Sequence, residues 1–465
     1  GDVASALALA ASNMFLNAGE DNFVEGTYCF DNPDDADCLA GGPPTEFLAQ
    51  AFAGNHCVED TVQEVGFEYS FTENNLKPSY ENSIKILSDL IAFKTISGED
   101  NNQLINYCDE ILKKLGATSF KTFDDDKKRV NLFSTIKAKK SNGKSPIILS
   151  GHTDVVPAVP DEWSSDPYLV REKDEKLYGR GTCDMKGFIA CTLAVAPLFA
   201  SGKLKRPIHF SYTFDEETGC LGAPLVLADL KKRNLNFSAC IIGEPTNMKA
   251  ITAHKGYNEY KTHFTGLSGH ASNPENGTSA IEYAIEYSNK LMELKNELKN
   301  KKRENNLFSP PYSTLQIGKI SGGIGANVIA DKCFLEWEVR PINKSDGDYV
   351  TKSIDEFSKN ILLPKIKNNN PNGDIKKEII GEVVGFNKEG DSEAVNLVGN
   401  LTGDNSKGTM SFGTEAGLFQ NSGISTVICG PGSIDQAHTV DEYITHDQLK
   451  KCLKMLVSLK EKMVN

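Results

Sequence analysis

Five times in this chain, an apolar run or the turn beside one delivers a side chain able to hold a metal ion. Ile147-Ile148-Leu149 leads to His152, and Ile208 to Phe214 leads to Asp215-Glu216-Glu217. Ala239-Cys240-Ile241-Ile242 leads to Glu244, and Ser425 to Cys429 leads to His438. The fifth, Asp184, stands just ahead of a helix expected to begin near Lys186. Strands buried on both faces read as continuous apolar runs. Open α/β sheets gather ligands beyond the carboxyl ends of their strands. The expected fold is therefore α/β, with a mostly parallel central sheet and its polar groups collected along one edge.

Each item alone has a plain structural explanation. His152 and Asp154 are two apart, so in extended chain they share a face; a metal-bound His passes its other N–H to a carboxylate or carbonyl, but a surface pair would look the same. Asp184 meets the positive end of a helix, where an ordinary N-cap would also stand. Asp215, Glu216 and Glu217 repel one another, which a cation would relieve and water would tolerate. Alternation sends Glu216 and Glu217 in different directions, so one can bind while the other stays free. Recurrence favours a site over five coincidences.

At 465 residues the chain is too long for one core. No run of about 18 apolar residues occurs, so no membrane span is expected. The net charge of −13 is concentrated: residues 1–76 hold 14 acidic residues and no Lys or Arg. That leaves 49 of the 63 acidic residues against all 50 basic ones, a nearly neutral body. Such a balance carries no electrostatic footprint for nucleic acid or a membrane surface. Eight of the eleven cysteines follow residue 77, without any Cys-x-x-Cys pair, and read as buried reduced thiols of a cytoplasmic protein. Residues 1–76, with Cys29, Cys38 and Cys57, form an acidic extension expected to have no part in catalysis. Within it, Val62 to Phe71 alternates like a closing strand.

The rest divides into a catalytic domain in two parts, 77–255 and 373–465, around an inserted α+β unit at 256–372. That unit shows alternating strands (256–266, 334–339) and long amphipathic helices (278–300, 345–363). The Asn/Pro/Gly-rich 368–374 reads as the linker back.

Two His and three carboxylates are too many for one tetrahedral metal and suit two. Nitrogen and oxygen ligands without thiolate fit Zn²⁺, with Co²⁺ or Mn²⁺ as substitutes. Paired ions polarise a carbonyl and share a water. A free carboxylate beside them takes the water's proton and hands it to a leaving amine. The chemistry indicated is amide hydrolysis.

Several segments carry a family resemblance: Gly151 to Pro157, Gly179 to Phe188, Asp215 to Ala223, Gly243 to Thr246, Gly266 to Ser272, Ser411 to Gly417 and Cys429 to His438. Over residues 78–465 the chain resembles the M20 metallopeptidase and deacylase family. The resemblance implies a zinc-peptidase-like catalytic domain carrying a two-helix, four-strand lid and dimerisation domain, in a homodimer. It implies His152, Asp184, Glu217, Glu244 and His438 as ligands of two Zn²⁺, with Asp184 bridging. Asp154 would support His152, and Glu216 would be the general base and later acid. His270 would reach the neighbouring subunit's site, Asn327 and Arg340 would contact a substrate carboxylate, and Gly413 and Thr414 would line the pocket. Without the resemblance, Arg340 reads as an ion-paired strand residue. The implied substrate is a small N-acylated amino acid; a related deacylase or a dipeptidase remains open. An inactivated scaffold is disfavoured by the intact Glu216 and ligand set.

Overall fold

The computed structural model describes residues 76–139, 143–301, 308–387, 392–410 and 412–464. Residues 1–75 of the acidic extension, with its three cysteines and the alternating Val62–Phe71, lie outside the described residues.

The first part of the chain supplies α1 (Leu76–Ala92), α2 (Asn102–Lys114), β1 (Thr118–Phe123), β2 (Val130–Ile136) and β3 (Ile147–His152). After a small hairpin of β4 (Arg171–Lys173) and β5 (Lys176–Tyr178) come α3 (Lys186–Ser201), β6 (Ile208–Thr213), α4 (Gly222–Lys232), β7 (Ala239–Pro245) and β8 (Ala250–His254). There follow β9 (Tyr257–Thr265), β10 (Gly269–His270), α5 (Ala280–Asn300), β11 (Thr314–Gly322), β12 (Val328–Ile329), β13 (Lys332–Arg340), α6 (Lys344–Phe357), α7 (Leu363–Asn369) and β14 (Asp374–Val383). The last part holds β15 (Phe386–Asn387), α8 (Glu393–Thr402), β16 (Lys407–Met410), α9 (Ala416–Asn421), β17 (Thr426–Gly430), β18 (Tyr443–Thr445) and α10 (His446–Val464).

The large sheet runs β1-β2-β6-β3-β7-β17-β8-β15, with β16 beside β8. At its centre β6, β3, β7 and β17 are parallel. Toward the edges it is mixed: β1–β2, β2–β6, β8–β17 and β8–β15 are antiparallel, β8–β16 parallel. The four parallel strands are buried throughout, as expected of parallel strands covered on both faces; β6 is buried although His209, Ser211 and Thr213 alternate with its apolar residues. Because they are parallel, their carboxyl ends share one edge.

Helix α3 explains how that edge is held. It is apolar all round and buried from Lys186 to Phe199, the pattern of an interior helix. It packs on β3, β6 and β7 and is covered by α1 and α10. Where β7 passes beneath it, Gly243 is required: a Cβ there would lie 2.0 Å from the Phe188 ring. The residue after Gly243 is Glu244.

A second sheet, β11-β13-β9-β14, is antiparallel. Alternation sorts its faces. Tyr260 and Phe264 of β9, with Leu335, Trp337 and Val339 of β13, meet Tyr287, Leu291 and Leu294 of α5 and Val350 and Ile354 of α6 in one core. Ser279 and Asn343 cap the two helices, accepting from the Glu282 and Asp346 N–H groups. The strand after the Asn/Pro/Gly segment joins this sheet through β9. Residues 370–373, between α7 and β14, are thus a turn inside the unit, closed by Gly373 N–H to Asn370 O (2.8 Å), and the 368–374 segment is not the linker out of it. Turn composition marks a reversal of the chain; it does not say which sheet the next strand joins.

The eight cysteines among the described residues are buried and form no disulfide, and no described helix is long and apolar enough to cross a membrane.

Near the core between the large sheet and α4, His209 stacks on Phe133 at 5.0 Å with Phe237 edge-on at 5.3 Å. Burial pushes its imidazole down to about 3, and burial also pushes His254 down to about 4. An unfolded chain binds these protons as pH falls below about 6.5, whereas the folded protein refuses them until far lower pH. The fold should therefore lose stability as pH falls from about 6.5 toward 4. We expect His209→Phe to flatten that loss, read as the urea midpoint at successive pH values; an unchanged slope would remove His209 from the account.

Candidate metal centre

Three of the parallel strands and two loops bring the sequence-predicted ligands together. His152 closes β3, and its register partner Thr213 closes β6, just ahead of Asp215-Glu216-Glu217. Glu244 lies in β7, on the other side of β3. Asp184 precedes α3, and His438 lies beyond β17.

His152 Nδ1 donates to the Asp154 carbonyl (2.9 Å), which leaves Nε2 directed at the site. That nitrogen lies 3.0 Å from Asp184 Oδ1 and 3.8 Å from Glu244 Oε1. On the other side, His438 Nε2 lies 2.9 Å from Glu217 Oε2 and 3.4 Å from Asp184 Oδ2. Asp184 therefore presents one oxygen to each histidine. It is not the N-cap of α3: that position is Met185, without a side-chain cap bond. His438 sits at φ +59°, the left-handed region that non-glycine residues enter at a cost, often at functional sites.

One set of ligand atoms from His152, Asp184 and Glu217, and a second from His152, Glu216 and Glu244, lie within 4.8 Å of one another. Glu244 Oε1 is buried with no hydrogen-bond partner among the described residues. Burial, then the Asp184 charge, pushes Glu217 up to about 7 and raises Glu244. Burial likewise holds Glu216 well above the ordinary carboxylate range. Against the cost of burial, bonds from His152 and His438 hold Asp184 well below that range. The Asp184 and Glu217 carboxylates in turn push His438 up to about 10. Two histidine Nε2 atoms thus face a cluster of carboxylates that a cation would balance, and one carboxylate oxygen has no hydrogen-bond partner among the described residues. The residues fit divalent ions.

Asp154 does more than expected. Its Oδ1 is 3.6 Å from His152 Nδ1. The carboxylate accepts from Ser97 Oγ (2.7 Å) and from the N–H groups of Glu216 (3.1 Å) and Glu217 (3.3 Å). It holds the backbone of both Glu216 and Glu217. Asp215, at φ +50°, is tied to Arg129 and to the Gly98 N–H (2.7 Å).

The remaining predicted residues are distributed differently. His270 is exposed, shares a hydrogen bond with Ser272 (2.7 Å), and pairs with Val328 beside exposed Asn327 in the small β10–β12 ladder. Arg340 grips Glu338 through two 3.2 Å bonds and lies over the Tyr257 ring. Gly413 packs on Val383 near Tyr257. Thr414 is buried; its hydroxyl is bonded to His254 Nε2 (3.0 Å) and accepts from Ala416 N–H (3.1 Å), so it is not a free pocket wall. Sequence reasoning missed Ser97, Arg129, Glu415 and Glu442. Glu415 is fully buried and pushed up to about 7 by burial, with Oε1 unpartnered among the described residues. Only its place in the Gly413-Thr414-Glu415 segment hinted at it.

An α/β sheet with such a centre at its strand ends defines a metal-dependent hydrolase. The model for "Peptidase family M20/M25/M40" matches residues 148–462. Acetylornithine deacetylase of Proteus mirabilis is 34% identical over 369 residues, 78% of this chain and 91% of that protein. The protein of the same name from Pasteurella multocida is 32% identical over 81% of this chain and 96% of its own length. Among solved structures, aminopeptidase PepT of Bacillus cereus (TM-score 0.64, 20% identity, 83% of this chain, 99% of that one) shares the fold. So does human carnosine dipeptidase 1 (TM-score 0.62, 16% identity, 84% and 98%). The chain belongs to peptidase family M20/M25/M40.

If Asp184 is shared between two ions, Asp184→Ala should weaken uptake of both, whereas Glu244→Ala should weaken one while sparing the other. Equilibrium dialysis with Zn²⁺ measures this; equal effects of the two changes would contradict a shared Asp184.

Proposed function

We propose that this protein removes the acetyl group from N-acetyl-L-ornithine, giving L-ornithine and acetate, a step that would serve arginine synthesis. The observation that carries the hydrolytic reading is the shared carboxylate: Asp184 Oδ1 is 3.0 Å from one histidine and Oδ2 is 3.4 Å from the other. What narrows the substrate is the name of the relatives, matched over nearly their whole length.

In this reading two Zn²⁺ are resident, with Co²⁺ a workable substitute. His152 and Glu244 would hold one, His438 and Glu217 the other, and Asp184 both. The chemistry such a pair supplies when bound is polarisation of an amide carbonyl and acidification of water. Glu216 takes the proton from the water and returns it to the departing amine nitrogen. Its burial raises its proton affinity, which suits a group that must accept a proton and give it back. Asp154 keeps it in place through its backbone N–H. Arg340 would exchange Glu338 for the substrate's α-carboxylate, with Asn327 as a second contact, and Gly413 would leave room beside them.

The four-stranded unit serves as lid and dimer-forming piece, with His270 offered to the partner's site. Support comes from β11, an edge strand. Ile320 on it is 50% exposed and Ile324 just past it is 88% exposed, an apolar edge of the kind that proteins cover. The buried thiols support action in the cytoplasm.

Glu216→Gln should lower kcat about 10²- to 10⁴-fold with metal content retained; turnover at the wild-type rate would sink the general-base role. In a panel of N-acetylornithine, N-succinyl-diaminopimelate and dipeptides, acetate release should dominate. Turnover of another member with none of acetylornithine would move the assignment to a sister activity. Light scattering should report a dimer, and a monomer with full activity would exclude His270 from a partner's site.

A further inference from the structure

One buried carboxylate near the centre is neither a ligand nor the base. Glu442 has no exposed surface. Its Oε1 accepts from two successive backbone N–H groups, Cys183 (2.9 Å) and Asp184 (3.0 Å). Its Oε2 accepts from Arg180 Nη1 at 2.8 Å. Its own carbonyl accepts from the Gly179 N–H (2.9 Å). Arg180 is 4% exposed and lies over the Trp163 ring at 5.1 Å. One residue thus spans the whole turn from Gly179 to Asp184.

Glu442 lies four residues after His438, more than 250 residues from the turn that it holds. The segment between has its own anchors: Thr439 Oγ1 donates to Gln436 O (2.8 Å), and Asp441 accepts from the Ser164 N–H (2.9 Å). The arrangement repeats that of Asp154, two residues after His152, which accepts the N–H groups of Glu216 and Glu217. Each histidine-bearing loop carries a carboxylate that crosses to hold the backbone of another loop's acidic residue.

We infer that Glu442, charge-balanced by Arg180, is a positioning residue that locks the turn bearing Asp184 to the loop bearing His438. The physical reason lies in the backbone that carries Asp184. Its N–H and that of Cys183 lie before the N-cap of α3, outside the helix ladder, and a buried carboxylate accepting both fixes the peptide from which the Asp184 side chain departs. With Glu442 accepting from Cys183 and Asp184, both Asp184 oxygens remain directed at the two histidines. The inference rests on the metal-centre reading proposed above.

Glu442→Ala alone would strand the Arg180 charge in the interior, so the informative comparison is made without that charge. Arg180→Met/Glu442→Gln keeps an acceptor for the two N–H groups, whereas Arg180→Met/Glu442→Ala removes it. Metal-free protein is titrated with Co²⁺ and followed by its absorption spectrum. The Ala protein should bind 10- to 100-fold more weakly than the Gln protein, in the range seen when the groups supporting metal ligands are lost. Equal Co²⁺ affinity and equal spectra would overturn the inference, even with a lowered unfolding midpoint, since a merely structural residue would move the midpoint alone. Should the Ala protein not fold, hydrogen exchange of metal-free wild type decides: the Cys183 and Asp184 amides should be protected, and exchange at the rate of exposed loops would overturn the role. Wild type that takes up no Co²⁺ would instead remove the metal-centre reading on which the role depends.

Discussion

Everything at the strand-end edge follows from crowding negative charge where water is scarce. Asp184, Glu216, Glu217 and Glu244 are held close together, and burial raises the proton affinity of the last three. Isolated carboxylates would escape this by turning outward or taking up protons. Here they are retained because two histidines, and the cations they stand ready for, oppose the repulsion. The fold's task is to keep such a cluster from relaxing apart.

It does so with rigid strands and with buried carboxylates that each accept two backbone N–H groups of another loop. The four parallel strands set the spacing of His152, Glu217 and Glu244, and α3, apolar on every side, presses the sheet from one face. Gly243 lets β7 run close enough beneath Phe188 for Glu244 to reach the cluster. Asp154 and Glu442 then fix the loops that strands alone leave free. A carboxylate accepting two backbone N–H groups is a strong, directional anchor. It gains by burial what a surface ion pair would lose to solvent.

Legibility from sequence tracked locality. Continuous apolar runs announced β3, β7 and β17, and alternation announced β9 and β13, because side-chain periodicity is a local property. Helix α3 begins at Lys186, where the sequence placed it. The membership of β14 was not: its sequence describes a strand, but its partner β9 lies more than a hundred residues earlier. Thr414 sat in a segment that read as pocket lining, yet its hydroxyl is used by His254, a contact no spacing rule contains. Ser97, Arg129 and Glu442 were silent for the same cause, since each acts on residues remote in the chain.

The amino-acid order by itself therefore determined the kinds of element, the apolar core and the acids and histidines placed at the ends of buried strands. Those depend on periodicities of two and 3.6 residues and on side-chain chemistry, which neighbours along the chain suffice to define. Tertiary structure alone decided that Asp184 stands between His152 and His438, that Glu244 sides with the first and Glu217 with the second, and that Glu442 returns to clasp the turn at 183–184. Those depend on sheet order and on long-range packing, where proximity is created by the fold and leaves no trace in local sequence.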